Sequence, residues 1–203
     1  MTNNEEDFET IKAVRAGDIQ AYGILVRKYQ GLLFNLALKM TGSVEEAEDT
    51  AQSAFIMIYE KLDSLDPGRS FRNWAYTIAL NKIRNTLRRK KLVGFLSLDA
   101  FRDAEGQPVQ IADRAQNTEE KALGNELMAG IERDLLKLPL DTREAFILFH
   151  FHNNSVGDIA ALTGATENTV SIRLYRARAF LALNLPRNSA RKDAALVEGR
   201  GKQ

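Results

Sequence analysis

The sequence predicts an all-α chain built as two small helical domains joined by a flexible linker. Apolar residues recur at helical spacing in several separate blocks, and glycine, proline and capping serines or threonines punctuate the ends of those blocks. One long central stretch keeps no apolar period at all, and it divides the blocks into two groups.

The first block is the clearest. Between Ile19 and Met40 the apolar residues Tyr22, Leu25, Val26, Tyr29, Leu32, Leu33, Leu36 and Met40 draw one stripe along a helix, which Thr41-Gly42 ends. Ser43-Val-Glu-Glu46 reads as a capping box in which the serine oxygen accepts a first-turn amide and Glu46 reaches back. It opens a second helix striped by Ala47, Ala51, Ala54, Phe55, Ile58 and Leu62, which stops before the turn Asp66-Pro67-Gly68. A third helix runs from Ser70 to about Leu92 and has two faces. Phe71, Trp74, Ile78, Ile83 and Leu87 point inward, whereas Asn73, Thr77, Asn81, Arg84 and Arg88 form a polar stripe that turns basic toward its end.

Residues 93–119 are broken by Gly94, Gly106 and Pro108 and read as the linker. Fully extended, its 27 residues reach roughly 90 Å, farther than two duplex turns of roughly 35 Å each. Leu123, Leu127, Ile131, Leu135 and Leu138 then make an apolar stripe that Pro139 terminates. Asp141-Thr-Arg-Glu144 is a second capping-box pattern, and Ser155-Val-Gly-Asp158 a third, opening a short helix that Gly164 breaks. Thr166 caps a longer helix with inner residues Val170, Leu174, Ala177 and Leu181. A short helix, a glycine turn and a capped basic helix form the helix-turn-helix layout, whose second helix enters a major groove. After Pro186 the chain reads as a flexible tail.

Charge placement says more than net charge, which is only +1. Residues 69–91 hold eight Lys or Arg and no acid, and residues 169–192 hold six and no acid. Setting those fourteen aside leaves a formal −13 on the rest of the chain, so two basic stations sit on an acidic body. Such stations attract phosphate backbones while the remainder discourages indiscriminate adhesion. The absence of cysteine excludes disulfides and thiolate metal sites. Residues 1–9 are polar and acidic, unlike a secretory signal, and no apolar run is long enough to span a bilayer, so a cytoplasmic location without membrane insertion is expected.

Three passages together resemble the extracytoplasmic-function sigma factors, the small initiation subunits of bacterial RNA polymerase, over roughly Phe8 to Leu185. The first is AEDTAQSAF at 47–55 with the following Ile58-Tyr59, which is similar to the part of sigma region two that docks on the clamp helices of the largest polymerase subunit. On that likeness Asp49, Gln52, Phe55 and Tyr59 bind core polymerase. The second, LDPGRSFRNWAYTIALNKIRNTLRR at 65–89, resembles the element that melts the promoter and reads its minus-ten region. The resemblance assigns Arg69, Asn73, Asn81, Arg84 and Arg88 to minus-ten DNA, with Asn81 pairing an extruded base edge and Arg84 and Arg88 near the backbone. Trp74, by its period, belongs to the core.

The third passage, LPLDTREAFILF at 138–149 with SVGDIAALTGATENTVSIRLYRARAFL at 155–181, resembles sigma region four, which reads the minus-thirty-five element. Asn168, Ser171, Ile172, Arg173, Tyr175 and Arg176 are its DNA-contact candidates. If Val170, Leu174 and Ala177 face the core, then Asn168, Ser171, Ile172, Tyr175 and Arg176 face the groove. Arg173 and Arg178 hold either phosphates or acidic neighbours. Many members place a basic residue where Ser171 stands and a small hydroxyl residue where Ile172 stands, so bidentate reading of guanine is absent at that point. Asp158 stands where glutamate is frequent, and FHFHNN at 149–154 departs from the acidic or glycine-rich loop of the family. Its two histidines, His150 and His152, read as polar residues beside the core and not as metal ligands.

The resemblance implies sigma region two at 7–92, the linker at 93–119, sigma region four at 120–186 and a tail at 187–203. It implies as partners core polymerase, through its clamp helices and the flap of its second subunit, promoter DNA in duplex and single-stranded form, and an anti-sigma factor. No catalytic residue, cofactor or metal is expected. Two rivals remain: a stand-alone helix-turn-helix regulator, against which the second basic station counts, and a metal-dependent hydrolase using Glu45, Glu46, Glu48 and Asp49, for which no partner carboxylate helix is recognisable.

Overall fold

The computed structural model describes residues 3–66, 68–96 and 119–184, with side chains at all of these except 3, 93–96 and 119–126. These residues form eight helices and no strand: α1 (Asn3–Arg15), α2 (Ile19–Thr41), α3 (Val44–Glu60), α4 (Phe71–Leu96), α5 (Glu119–Lys137), α6 (Leu140–His150), α7 (Val156–Thr163) and α8 (Glu167–Asn184), with a 3-10 turn at Leu62–Ser64. Helices α1 to α4 pack together as one group and α5 to α8 as a second. The two groups also touch, α2 meeting α5 and α6 while α4 meets α7. Most of the linker assigned to 93–119, the tail at 187–203 and Pro67 lie outside the described residues.

Local sequence explains most boundaries. Asp18 caps α2 by accepting from the amides of Gln20 and Ala21, and Gly42 ends it in the left-handed region at φ 74°. The Gly42 amide donates to the Leu38 carbonyl, 2.8 Å away, closing the last turn. A β-carbon at Gly42 would stand 2.5 Å from the Leu136 side chain of α5. That leucine tip can swing aside, so the left-handed backbone dominates the cost. Gly42→Ala is expected to lower stability by about 1–2 kcal/mol, read as a lower urea midpoint with unchanged slope.

Inside the first group, the predicted stripe of α2 is buried at Leu25, Tyr29, Leu33, Leu36 and Met40 and meets Ala47, Ala54 and Ile58 of α3 and Phe71, Tyr76, Leu80 and Ile83 of α4. Each large apolar side chain removed from water contributes about 1.5–3 kcal/mol, so this core is what holds the bundle. Trp74, expected in the core, is half-buried against it, its ring 6.0 Å from that of Phe71. Helix α1, unsigned by any strong apolar stripe, docks through Ile11 and through Asp7, a buried carboxylate paired with Lys28 and accepting a short bond from the Tyr29 hydroxyl. Arg15 at its end donates to the carbonyls of Leu62 and Leu65, at 2.7 and 2.8 Å, and so fixes the approach to the 66–70 turn.

Three expectations are corrected. The third helix does not end at Leu92 but continues as α4 to Leu96. A single interior glycine costs only about 1 kcal/mol, and no proline arrives before Pro108 to stop it. The box at Ser43 is half formed: its hydroxyl accepts from the Glu46 amide at 3.3 Å, but the Glu46 carboxylate pairs with Lys90 of α4 at 2.7 Å. The pattern at Asp141 to Glu144 is no box at all. Helix α6 starts two residues earlier than such a box would place it, from Pro139 without a side-chain cap, and long-range arginines claim both carboxylates.

Candidate nucleic-acid interface

In the second group the helix-turn-helix forms as its local chemistry dictates. Ser155 and Asp158 make the full reciprocal box at the start of α7, and Gly164 ends it at φ 68°. Burial of the carboxyl opposes, but the bond from the Ser155 hydroxyl dominates and holds Asp158 below the usual carboxylate range. Thr166 then accepts the Thr169 amide at 3.2 Å and opens α8. Val170, Leu174, Ala177 and Leu181 are buried, as the period requires, and this fixes the opposite face.

That face carries the five predicted groove residues, Asn168, Ser171, Ile172, Tyr175 and Arg176, all exposed. Tyr175 is 74% and Ile172 43% exposed, so two adjacent large side chains of this face stand in solvent. The Ser171 hydroxyl donates to the Glu167 carbonyl of its own helix at 2.9 Å, so toward a base it offers an acceptor. Arg173 is half-buried and pairs with Asp141 at 2.8 Å, an acidic neighbour of the kind that one of its two readings names. Arg178 lies over the Phe149 ring, 5.5 Å from its centre.

On α4 the polar stripe is not uniformly open. Arg69 just before the helix and Asn81 and Arg88 on it are exposed, while Asn73 and Arg84 are half-buried. The Arg84 guanidinium forks onto Glu144 of α6, its Nε donating at 3.0 Å, and its Nη1 also donates to the Asn81 side-chain oxygen at 3.3 Å. Glu144 is 1% exposed; burial raises its pKa, and Arg84 counters that only in part. Asn73 lies near the Asp158 carboxylate of α7 and adds a little to holding it below the usual range.

The same seam includes Arg72 on the His152 carbonyl and the Tyr76 hydroxyl 2.8 Å from His152 Nδ1. Buried there beside Arg72 and Lys39, His152 is held neutral, its pKa pushed down to about 4 chiefly by burial. His152, predicted only to lie beside the core, thus bridges the two groups, while His150 packs on Phe146 with ring centres 4.3 Å apart.

A third face lies on α3. Asp49, Gln52 and Tyr59 are exposed at spacings of three and seven and share their stripe with Ile56, which is 55% exposed. Phe55 is half-buried, and its carbonyl accepts from the Tyr22 hydroxyl at 2.6 Å. The Tyr22 ring meets that of Tyr59 edge-on at 5.0 Å, so the Tyr59 side chain is held before any partner arrives. Ile56 was missed as a surface residue, although the helix period that turns Asp49, Gln52 and Tyr59 outward carries it too. Among the described residues no helix is long and apolar enough to cross a membrane, and no group of three or more His, Asp or Glu could hold a metal ion.

Comparison with known proteins accords with this division. Residues 25–93 match the family model for Sigma-70 region 2, and residues 131–181 match that for Sigma-70 region 4. The chain is 33% identical to the ECF RNA polymerase sigma factor SigW of Bacillus subtilis over 86% of its own length and 94% of that protein. Among solved structures it resembles CnrH, a sigma factor of Cupriavidus metallidurans, in complex with the cytosolic domain of CnrY, at a TM-score of 0.59 and 26% identity over 86% of this chain and 93% of that one. It shares its fold with the sigma factor RpoE in complex with the anti-sigma factor NepR from Bartonella quintana, at a TM-score of 0.67 and 22% identity over 81% of this chain and 96% of that one. An all-helical chain with both sigma regions in order, similar to SigW over nearly its whole length, belongs to the extracytoplasmic-function sigma factors of bacterial RNA polymerase.

Proposed function

We propose that this sigma factor divides its work among three faces. Asp49, Gln52, Phe55 and Tyr59 on α3 seat it on core polymerase. Arg69, Asn73, Asn81, Arg84 and Arg88 on and before α4 take the melted minus-ten strand. Asn168, Ser171, Ile172, Tyr175 and Arg176 on α8 read the minus-thirty-five duplex, and Arg173 steadies α8 through Asp141. The observation that carries this reading is the pair of acid-free helical faces, one on α4 and one on α8, borne by separate helical groups of one chain.

The chemistry assigned to each face follows from its groups. Duplex DNA offers base edges and thymine methyls in its major groove, and α8 presents one arginine, an amide, an acceptor hydroxyl and two exposed apolar side chains to them. Melted DNA offers unstacked bases, and α4 presents the Asn81 amide beside cations that hold the backbone. No bond is made or broken by this chain itself; polymerase supplies catalysis. The domain limits 7–92 and 120–186, the linker between them, a contact with the polymerase flap and a cytoplasmic location belong to the same reading. So does an anti-sigma partner, which the RpoE and NepR complex supports by likeness of fold.

Two substitutions separate the faces. In reconstituted holoenzyme, Arg176→Ala is expected to weaken protection of the upstream element by about tenfold, the order of one lost base contact. Asn81→Ala is expected to leave that footprint intact and to reduce permanganate reactivity of the melted strand. Identical defects in both variants would undo the division of labour.

A further inference from the structure

We infer that Arg15 of α1 is a positioning residue for promoter melting: it holds the turn at 65–70 in the shape that receives the opened strand, without meeting that strand itself. The inference rests on the minus-ten reading of Arg69 and α4 given above. Three carbonyls converge on this one guanidinium. Its Nη2 donates to Leu62 at 2.7 Å, to Leu65 at 2.8 Å and more weakly to Asp63 at 3.3 Å, while its Nε stands 3.7 Å from the Asp63 carboxylate. Helix α3 ends at Glu60 and the 3-10 turn at Ser64, so the carbonyls beyond have no further helical turn to supply amides. An arginine 47 to 50 residues away in sequence supplies donors in their place.

The turn is closed from inside as well. The Asp66 carboxylate accepts the Gly68 amide at 3.0 Å, and the Asp66 carbonyl accepts the Arg69 amide at 3.0 Å. This unit hangs between two buried side chains, Leu65 at one end and Phe71 at the other. Its far end enters α4 directly, where the Ser70 carbonyl accepts the Trp74 amide at 3.1 Å. Its near end is tied through its backbone by Arg15. Exposed Arg69 rides on the unit, so its station relative to Asn81 on α4 is fixed only while both ends are held. A binding loop held in shape before its ligand arrives spares the cost of ordering it at that moment. Arg15 itself lies outside both basic stations, and its donors are already spent on carbonyls.

Reconstituted holoenzyme can be offered a pool of premelted duplexes whose open segment is random in sequence, and the sequence that it enriches becomes the probe. For that probe, Arg15→Gln should weaken binding about tenfold, as expected when the competent loop falls from most of the ensemble to about a tenth. The pool enriched by this variant should also lose base preference in the open segment. The slope of log affinity against log salt should not change. A direct phosphate contact predicts the reverse pair, a slope reduced by about 0.7 with base preference kept.

Arg15→Lys keeps the charge on a single-pointed head and takes over the test if Arg15→Gln loses its helical circular dichroism. It should weaken the probe by a smaller factor, whereas a mere phosphate contact would leave binding as it was. Asp66→Ala loosens the same turn without touching α1. Removing a negative charge near a nucleic-acid strand tightens binding when charge alone matters, so the weakening expected here has the opposite sign. Unaltered binding by the folded Arg15 variants, the reduced slope, or tighter binding by Asp66→Ala would each overturn the inference. Asn81→Ala and Arg69→Ala in the same assay separate that failure from a failure of the reading beneath it. If either weakens the probe, the minus-ten reading stands and only the brace is lost; if both bind normally, the reading goes too.

Discussion

Replacing Asp49 and Gln52 together by alanine is expected to reduce recovery of core polymerase by at least about a hundredfold while leaving the helical fold intact. Both side chains stand out from α3, on the face opposite the buried Ala47, Thr50, Ala54 and Ile58. The core therefore loses nothing, and thermal unfolding should shift little. At an interface the same two groups would be desolvated against a partner, and truncating a buried, hydrogen-bonded polar or charged group there costs about 2–5 kcal/mol, so two such losses exceed a factor of a hundred. The neighbouring Tyr59 and Ile56 supply an apolar anchor that alanine scanning should also register, since rigid aromatic anchors dominate such surfaces. Pull-down with purified core enzyme, alongside circular dichroism, reads both halves of the expectation. Normal recovery would remove α3 from the polymerase interface.

How much of this molecule could be read from its sequence depends on the range of the interaction that fixed each part. Where a neighbour within four residues decides, the pattern was legible. Gly42 and Gly164 end helices because only a left-handed residue closes their last turns, and Ser155 with Asp158 caps α7 with no help from elsewhere. The groove face of α8 followed from the four inner residues of its stripe, because burying Val170 and Leu174 leaves Asn168, Ser171, Ile172, Tyr175 and Arg176 no other side to occupy.

Where the deciding partner is distant, the pattern misled. Asp141 to Glu144 has the letters of a capping box, yet Arg173 and Arg84 claim its carboxylates from 32 and 60 residues away. Helix α1 escaped notice because it is attached chiefly by polar contacts with distant residues, Asp7 with Lys28 and Tyr29 and Arg15 with the Leu62 and Leu65 carbonyls, beside the buried Ile11. Nothing in FHFHNN announces that His152 bridges to Tyr76, because the two are separated by 76 residues and neither spacing nor composition encodes that contact. The candidate site shows the same split: which side chains face outward was readable from helix period, whereas which of them the molecule itself occupies required the packing of one helical group on the other.

Electrostatics supply the last strong expectation, that promoter binding by the holoenzyme falls by about a thousandfold between roughly 50 and 200 mM salt beyond any change seen with core polymerase alone. Among the described residues, six cations on the two stations are exposed, namely Arg69, Arg88, Arg89, Lys90, Lys91 and Arg176. Neutralising about six phosphates displaces a similar number of condensed counterions, and a fourfold rise in salt then costs roughly three powers of ten. Lys90 must first leave Glu46, but that pair is largely solvated on its lysine side and weak, so it trims the effect without cancelling it. Removing the charges of Arg88, Arg89 and Lys91 together should flatten the slope of log affinity against log salt by nearly three units, with little loss of sequence preference, because phosphate contacts set register and affinity but do not read bases. Filter binding or fluorescence anisotropy across the salt range measures this directly. A slope unchanged by the triple substitution would mean that the basic end of α4 never meets the backbone.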